Sequence, residues 1–367
     1  MGVLAISLVA LLTTTTAAVA GSGWTAADRI GTALGRGTVS VAEHAGHLYV
    51  LTVAPPWKGC RSWLYTDRSG EWHREIVPAG CAGGEIAVDA QGNVHIVFLR
   101  MLPGDCAGWC PKGLFYATNK SGTWRTERVL LGYAQPPSIA IGPDGQPVVA
   151  YHGAGRMLWL ATRTADGWQR RTIGGQTAAD LPFDGQGLAV HGDRIYVTFV
   201  RWVDEAPDAL RLVEVADGAI VRKSTVVAVG ENWDPRFPTV AVDAIGQPHV
   251  GFVDLCDGLA HAVRTPAGWQ VENVPGRAGL DAAPSLSVTD GRHVALVTHT
   301  GSTTRCSGGN SGGVVFRTNE GGDWAGSTLE PKGVPLVGDV RIVTGGSGRS
   351  SVVWVTYGND LMIRRER

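Results

Sequence analysis

The sequence predicts an all-β fold, a seven-bladed β-propeller with four-stranded antiparallel blades. Three observations predict it. A hairpin ending on tryptophan recurs along the 367 residues. In Gly113–Leu130, an aromatic-rich run reaches Thr118, Asn119 to Gly122 supply a turn, and a second strand opens on Trp124. A second hairpin, strand, tight Gly turn and strand, precedes it each time, as in Glu85–Leu99 and Pro137–Tyr151. Finally, the two ends carry complementary fragments, a lone fourth strand at the start and three strands at the stop.

In chain order, residues 1–20 read as a signal peptide. Val3 to Leu12 is a short apolar run, too short to span a bilayer, and Ala18-Val-Ala20 fits a cleavage site before Gly21. No Lys or Arg precedes the apolar run, and a buried strand is the other reading. Residues 21–367 then form a single domain without a linker or a shift in composition. The hairpin tryptophans are Trp72, Trp124, Trp168, Trp269 and Trp324, about fifty residues apart except for one interval of about a hundred. That interval holds two units, with Asp217-Gly-Ala-Ile220 standing where a turn and tryptophan belong. The preceding hairpin also recurs at Pro238–Phe252 and Pro284–Val297. Two hairpins make strands a to d of one blade. Val340–Val343, Ser351–Tyr357 and Leu361–Arg364 supply strands a, b and c of the last blade, and Gly23–Ile30 supplies its strand d. The N-terminal strand thus closes the ring and removes two sheet edges. Six blades is the alternative, if the Ile220 unit is an insertion. Gly or Pro interrupts every window long enough for an amphipathic helix.

A net charge of −1 argues against nucleic acid or an anionic membrane held by bulk charge. No later run is long and apolar enough for a membrane helix, so the expectation is a secreted protein. Six cysteines agree with an oxidising compartment and allow fifteen pairings. The repeat favours Cys60 with Cys81, Cys106 with Cys110, and Cys256 with Cys306. Metal binding is the rival for Cys106 and Cys110, but a second ligand pair is lacking, and no metal site or cofactor is assigned.

In a propeller, b–c and d–a loops share one face, and here they vary in length and collect unusual residues. Arg201-Trp-Val-Asp-Glu-Ala-Pro-Asp208, Gly230-Glu-Asn-Trp-Asp-Pro-Arg-Phe-Pro238, Asp254-Leu-Cys-Asp257 and Arg100 to Cys110 stand out. Stacking Trp, bidentate Arg and paired carboxylates suit sugars, acidic sugars included. The candidate catalytic acids are Asp204, Glu231, Asp234 and Asp254. Substrate-binding candidates are Arg100, Arg201, Trp202, Trp233 and Arg236, with His152 and His299 at the ends of two b strands. Taken singly, each acid also fits a turn former or solvated charge, and each His a hydrogen-bonded residue of the channel. The loops differ from blade to blade, which points to one asymmetric site for a carbohydrate or other small polar ligand. A lectin or a protein-binding scaffold at the cell envelope is the alternative.

The corner turns resemble the Asp-box, or BNR, turns of sialidase-like propellers. Thr118, Gly122 and Trp124 fit that outline, as do Thr66, Gly70 and Trp72, and Thr318, Gly322 and Trp324. Lys120, Arg68 and Glu320 stand at the Asp position, and one residue is missing between Gly and Trp. The resemblance implies a degenerate member of the class, whose seven-bladed relatives include polysaccharide lyases, glycosidases and lectins. The Arg-Ile-Pro signature of sialidases is absent.

Overall fold

The computed structural model describes residues 23–33, 38–54, 61–80, 83–101, 111–132, 134, 137–153, 157–174, 186–203, 206–230, 233–254, 258–276, 283–289, 294–299, 313–320, 322–330 and 339–367. Every element in them is a β-strand, and the strands form seven four-stranded antiparallel sheets. All six cysteines and the signal segment lie outside the described residues.

The first blade is β2 (Thr38–His44), β3 (His47–Val53), β4 (Ser62–Thr66) and β5 (His73–Val77). The second is β6 (Gly84–Val88), β7 (Val94–Met101), β8 (Pro111–Thr118) and β9 (Arg125–Leu131). The third is β10 (Ser138–Ile141), β11 (Pro147–Gly153), β12 (Met157–Thr164) and β13 (Gly167–Gly174). The fourth is β14 (Gly187–His191), β15 (Arg194–Val203), β16 (Ala206–Ala216) and β17 (Ala219–Ala228). The fifth is β18 (Pro235–Val242), β19 (Pro248–Asp254), β20 (Gly258–Thr265) and β21 (Gly268–Val274). The sixth is β22 (Ser285–Val288), β23 (Val294–His299), β24 (Val314–Thr318) and β25 (Ala325–Glu330). In the seventh, β26 (Arg341–Thr344), β27 (Ser350–Val355) and β28 (Asp360–Arg365) pair onward to β1 (Asp28–Thr32). The Ile220 unit is a full blade.

Middle strands are buried on both faces because each blade is sandwiched between two others. That is why β11, β19 and β27 are apolar runs without a solvent face. Seven hydrophobic clusters result, one between each pair of neighbouring blades. Six of them take in the corner tryptophan of the following blade: Trp24, Trp72, Trp124, Trp168, Trp269 and Trp324. The cluster between the third and fourth blades has none.

The corner turns fix strand b of their own blade. Asp67, Asn119 and Asn319 accept an N–H at the start of that strand, from Leu48, Val94 and Val294, at 2.7–2.9 Å. The polar anchor is therefore one residue ahead of Arg68, Lys120 and Glu320, the positions matched to the Asp-box. Ring closure adds further bonds. Arg367 N donates to Gly23 O at 2.7 Å and Thr25 N to Arg365 O at 2.9 Å. Gly31 is a required small residue there, because a Cβ would run into the Tyr65 ring, whose hydroxyl donates to Thr32 O at 2.8 Å.

Candidate functional site

The inner strands surround a central cavity of about 390 Å³, open at the face where each strand a begins. One position of strand a recurs there in every blade, fixed by its pairing with strand b: Ser40, Glu85, Ser138, Gly187, Thr239, Ser285 and Arg341. All seven line the cavity. Five are small, as the taper of converging strands demands. Three serines of the ring link neighbouring blades. Ser40 Oγ accepts from Ile86 N at 3.2 Å, Ser285 Oγ accepts from Ile342 N at 3.1 Å, and Ser138 Oγ donates to Gln186 O at 2.8 Å.

Glu85 and Arg341 break the rule. They stand on either side of the first blade and bring opposite charges into a small-residue ring. Burial pushes the Glu85 carboxyl above its ordinary value. It outweighs the pull of Arg341 and of hydrogen bonds from Ile139 N–H and the Ser138 hydroxyl, and Asp339 adds to the rise. Asp339 Oδ2 holds Arg341 Nη2 at 3.1 Å. The mouth therefore offers a carboxyl biased towards its protonated form beside an ion-paired carboxylate. A carboxyl raised by burial inside a mouth is a candidate proton donor. Sequence reading missed Glu85, Asp339 and Arg341. Aligning the a strands on their small polar position would have found Glu85 and Arg341.

A second cluster lies beside the mouth, at the junction of the fourth and fifth blades. Asp234 N donates to the buried Asp254 Oδ1 at 2.9 Å, and Asp234 Oδ1 faces Arg236 Nε at 3.2 Å. The Arg236 guanidinium lies over the Trp202 ring at 5.0 Å, and Trp233 meets Phe252 edge-on at 5.7 Å. The bulge between Arg236 and Thr239 explains how these groups converge. Within it Phe237 takes φ 51°, in the left-handed region that a bulky side chain avoids, and Phe237 and Pro238 line the central cavity.

The structure thus brings together Trp202, Trp233, Asp234, Arg236 and Asp254. Arg201 is in the same strand as Trp202. Arg100 is on the second blade, its guanidinium 4.8 Å from the Phe115 ring centroid. His152 is the penultimate residue of β11 and His299 the last of β23, with 1% and 4% of their surface exposed. Contrary to expectation, neither is hydrogen-bonded to a described residue and neither lines the channel. They are held inside the third and sixth blades, and burial pushes both imidazoles down to about 4. Asp204 and Glu231 lie outside the described residues. Among the described residues no cluster of His, Cys, Asp and Glu could hold a metal ion, and no helix is long and apolar enough to cross a membrane.

No protein-family model and no curated protein matches this chain. Among solved structures, it is similar to an ulvan lyase described as a new family of polysaccharide lyase, at 14% identity and a TM-score of 0.60 over 94% of both chains. The polysaccharide lyase Uly1 gives 10% identity and a TM-score of 0.55, with 96% of this chain and 93% of that one covered. The SapL1 lectin in complex with α-methyl fucoside gives 11% and 0.51, with 82% and 98% covered. At these identities the likeness is one of fold. None of the three is a sialidase, and that resemblance rests on the corner turns alone.

Proposed function

We propose that this chain is an exported carbohydrate-active propeller that binds a glycan across the mouth of its channel and cleaves it there. The observation that carries the reading is the break of the small-residue ring by Glu85 and Arg341. Glu85, whose carboxyl burial raises above its ordinary value, would give a proton to the leaving oxygen of a glycosidic bond, while Asp339, held by Arg341, would supply the second carboxylate. Arg341 would also be within the same mouth for an acidic sugar ring. Trp202, carrying Arg236 on its face, would be the platform for a sugar further along the chain, with Asp254 and Asp234 fixing its geometry. The fold neighbours that bear carbohydrate names agree with this reading: two polysaccharide lyases, one of them also seen bound to -[GlcA(1-4)Rha3S]-, and a lectin.

The test is a polysaccharide-degradation screen combined with a glycan array on the purified chain. A substrate should emerge whose turnover falls by about 10²–10⁴-fold in Glu85→Gln with KM little changed. Undiminished turnover in that variant would remove Glu85 from the reaction. One observation favours a second reading, a lectin. Asp234, Arg236 and Asp254 bond to one another, as expected of a rigid binding surface. Array binding that is lost in Trp202→Ala, with no turnover on any polysaccharide, would select it.

A further inference from the structure

Arg163 and Arg264, each on strand c of its blade, stand opposite the corner tryptophans Trp168 and Trp269 of strand d. Each reaches back to a carboxylate of the blade before it. Arg163 Nε meets Glu127 Oε1 at 2.7 Å, and no second arginine pairs with Glu127 among the described residues. Arg264 takes Glu214, with Nη1 on one oxygen and Nη2 3.4 Å from the other.

The fourth blade adds two more arginines to Glu214. Arg194, the first residue of β15, places Nη1 3.2 Å from Oε2, and Arg222 of β17 places Nε 3.7 Å from Oε1. Strand pairing explains the gathering, because Arg222 stands directly opposite Glu214 and Arg194 is its diagonal neighbour on the same face. Three guanidinium groups thus surround one fully buried carboxylate. Arg264 is largely covered, whereas the Arg194 and Arg222 side chains are 48% and 56% exposed. At 3.7 Å Arg222 is held by charge alone, and none of its five N–H groups meets an acceptor among the described residues. The acids nearby leave this surplus in place. Asp193 faces Arg194 Nε at 3.9 Å and is itself mainly exposed. Asp217, in the turn between β16 and β17, is in no ion pair with a described residue. Three positive charges therefore meet the two negative charges of Glu214 and Asp193.

We propose that Arg194 and Arg222 bind a tetrahedral oxyanion, a sulfate or phosphate group, on the solvent side of the Glu214 cluster. The excess of guanidinium over carboxylate defines the sign of the ligand's charge. The donors define its shape: a carboxylate fills one guanidinium fork, and a tetrahedral oxyanion has oxygens enough for two. The group can arrive as a free ion or as an ester on a sugar. Arg194 follows the a–b turn of its blade and Arg222 the c–d turn. The site therefore belongs to the corner face, away from the channel mouth, and its failure would leave the Glu85 reading untouched.

Isothermal titration at fixed ionic strength, balanced with chloride, tests it. The probes are inorganic sulfate and phosphate, glucose-6-sulfate and glucose-6-phosphate as the ester forms, and acetate as the planar control. At least one oxyanion should bind one to one, and the tightest identifies the source, free ion or ester. Acetate should not bind. Arg222→Gln should weaken binding at least about tenfold, the loss of one charge-assisted contact. Arg128→Gln, on the exposed edge of the second blade, should leave it unchanged. Absence of heat from all four oxyanions, equal binding of acetate, or equal weakening by the two variants would each overturn the proposal. Arg222→Gln leaves Arg194 and Arg264 on Glu214, so the variant should keep its fold.

Discussion

The junction of the fifth and sixth blades and that of the third and fourth share one plan, and only the first carries its corner tryptophan. In the filled junction Trp324 lies edge-on to His261 at 5.5 Å, and His261 Nδ1 meets Glu272 Oε1 at 3.0 Å. Behind them His249 Nδ1 reaches His261 Nε2 at 3.0 Å, and Asp243 lies 3.6 Å from His249 Nε2. A polar chain therefore runs from the a–b turn through the fifth blade to Glu272, with Trp324 of the sixth blade against His261. In the open junction Ile220 replaces the tryptophan, and His152 is buried without a hydrogen bond to any described residue. The lesson is about how to read a repeat. What recurs is the device that holds blades together, and the Ile220 blade shows that the sheet forms without it.

Acid should test both junctions at once, with the largest effect. Burial pushes His152, His249 and His299 down to about 4; at His249 the neighbouring His261 adds to the fall. An unfolded chain takes up a proton on each near the ordinary value of 6.5, whereas the folded chain does so only near 4. Stability is therefore complete above pH 6.5 and falls as the pH drops through this window, by up to about 3 kcal/mol for each group. Glu85, raised, works in the opposite sense above its unfolded value. Urea midpoints at pH 7, 5.5 and 4.5 should show the loss, and His152→Phe should make it shallower.

Next in size is the removal of a filled corner. Trp168→Ala should cost about 3 kcal/mol in urea unfolding, because it empties an inter-blade slot and removes the bond from Trp168 Nε1 to Glu127 Oε1, 2.9 Å long, while Arg163 still holds the carboxylate. Ile220→Ala, in the open junction, should cost less than about 1 kcal/mol, since it removes a half-exposed side chain. Equal losses would erase the distinction between the junctions. The smallest effect sharpens it. The double change Ile220→Trp with Arg171→Glu rebuilds the pair seen at Trp168 and Glu127, and should raise stability by about 1–2 kcal/mol.

Much of this architecture was legible in the sequence. Seven blades could be counted because each corner must present Trp and a turn at the same register. The Ile220 unit could be kept in the count because strand pairing constrains spacing more tightly than it does side chains. The cluster of Trp202, Trp233, Asp234, Arg236 and Asp254 was visible as unusual residues in neighbouring loops. Glu85 and Arg341 were hidden, since each looks like an ordinary polar residue near the start of a strand. Only convergence of seven strands on one axis makes their size and charge conspicuous. His152 and His299 misled for a related reason. The end of a b strand suggests access, but both side chains are buried.

Closure of the ring through β1 and β28 has a consequence for how the molecule comes into being. β1 belongs to the first described stretch of chain to be synthesised, and its partner β28 belongs to the last. Six blades can assemble in sequence while β1 waits, and the seventh has three strands until it docks. During that interval the free edge of β28 matches the waiting strand of any other copy as well as its own. Crowded refolding should therefore yield strand-exchanged pairs, and dilution should yield single rings.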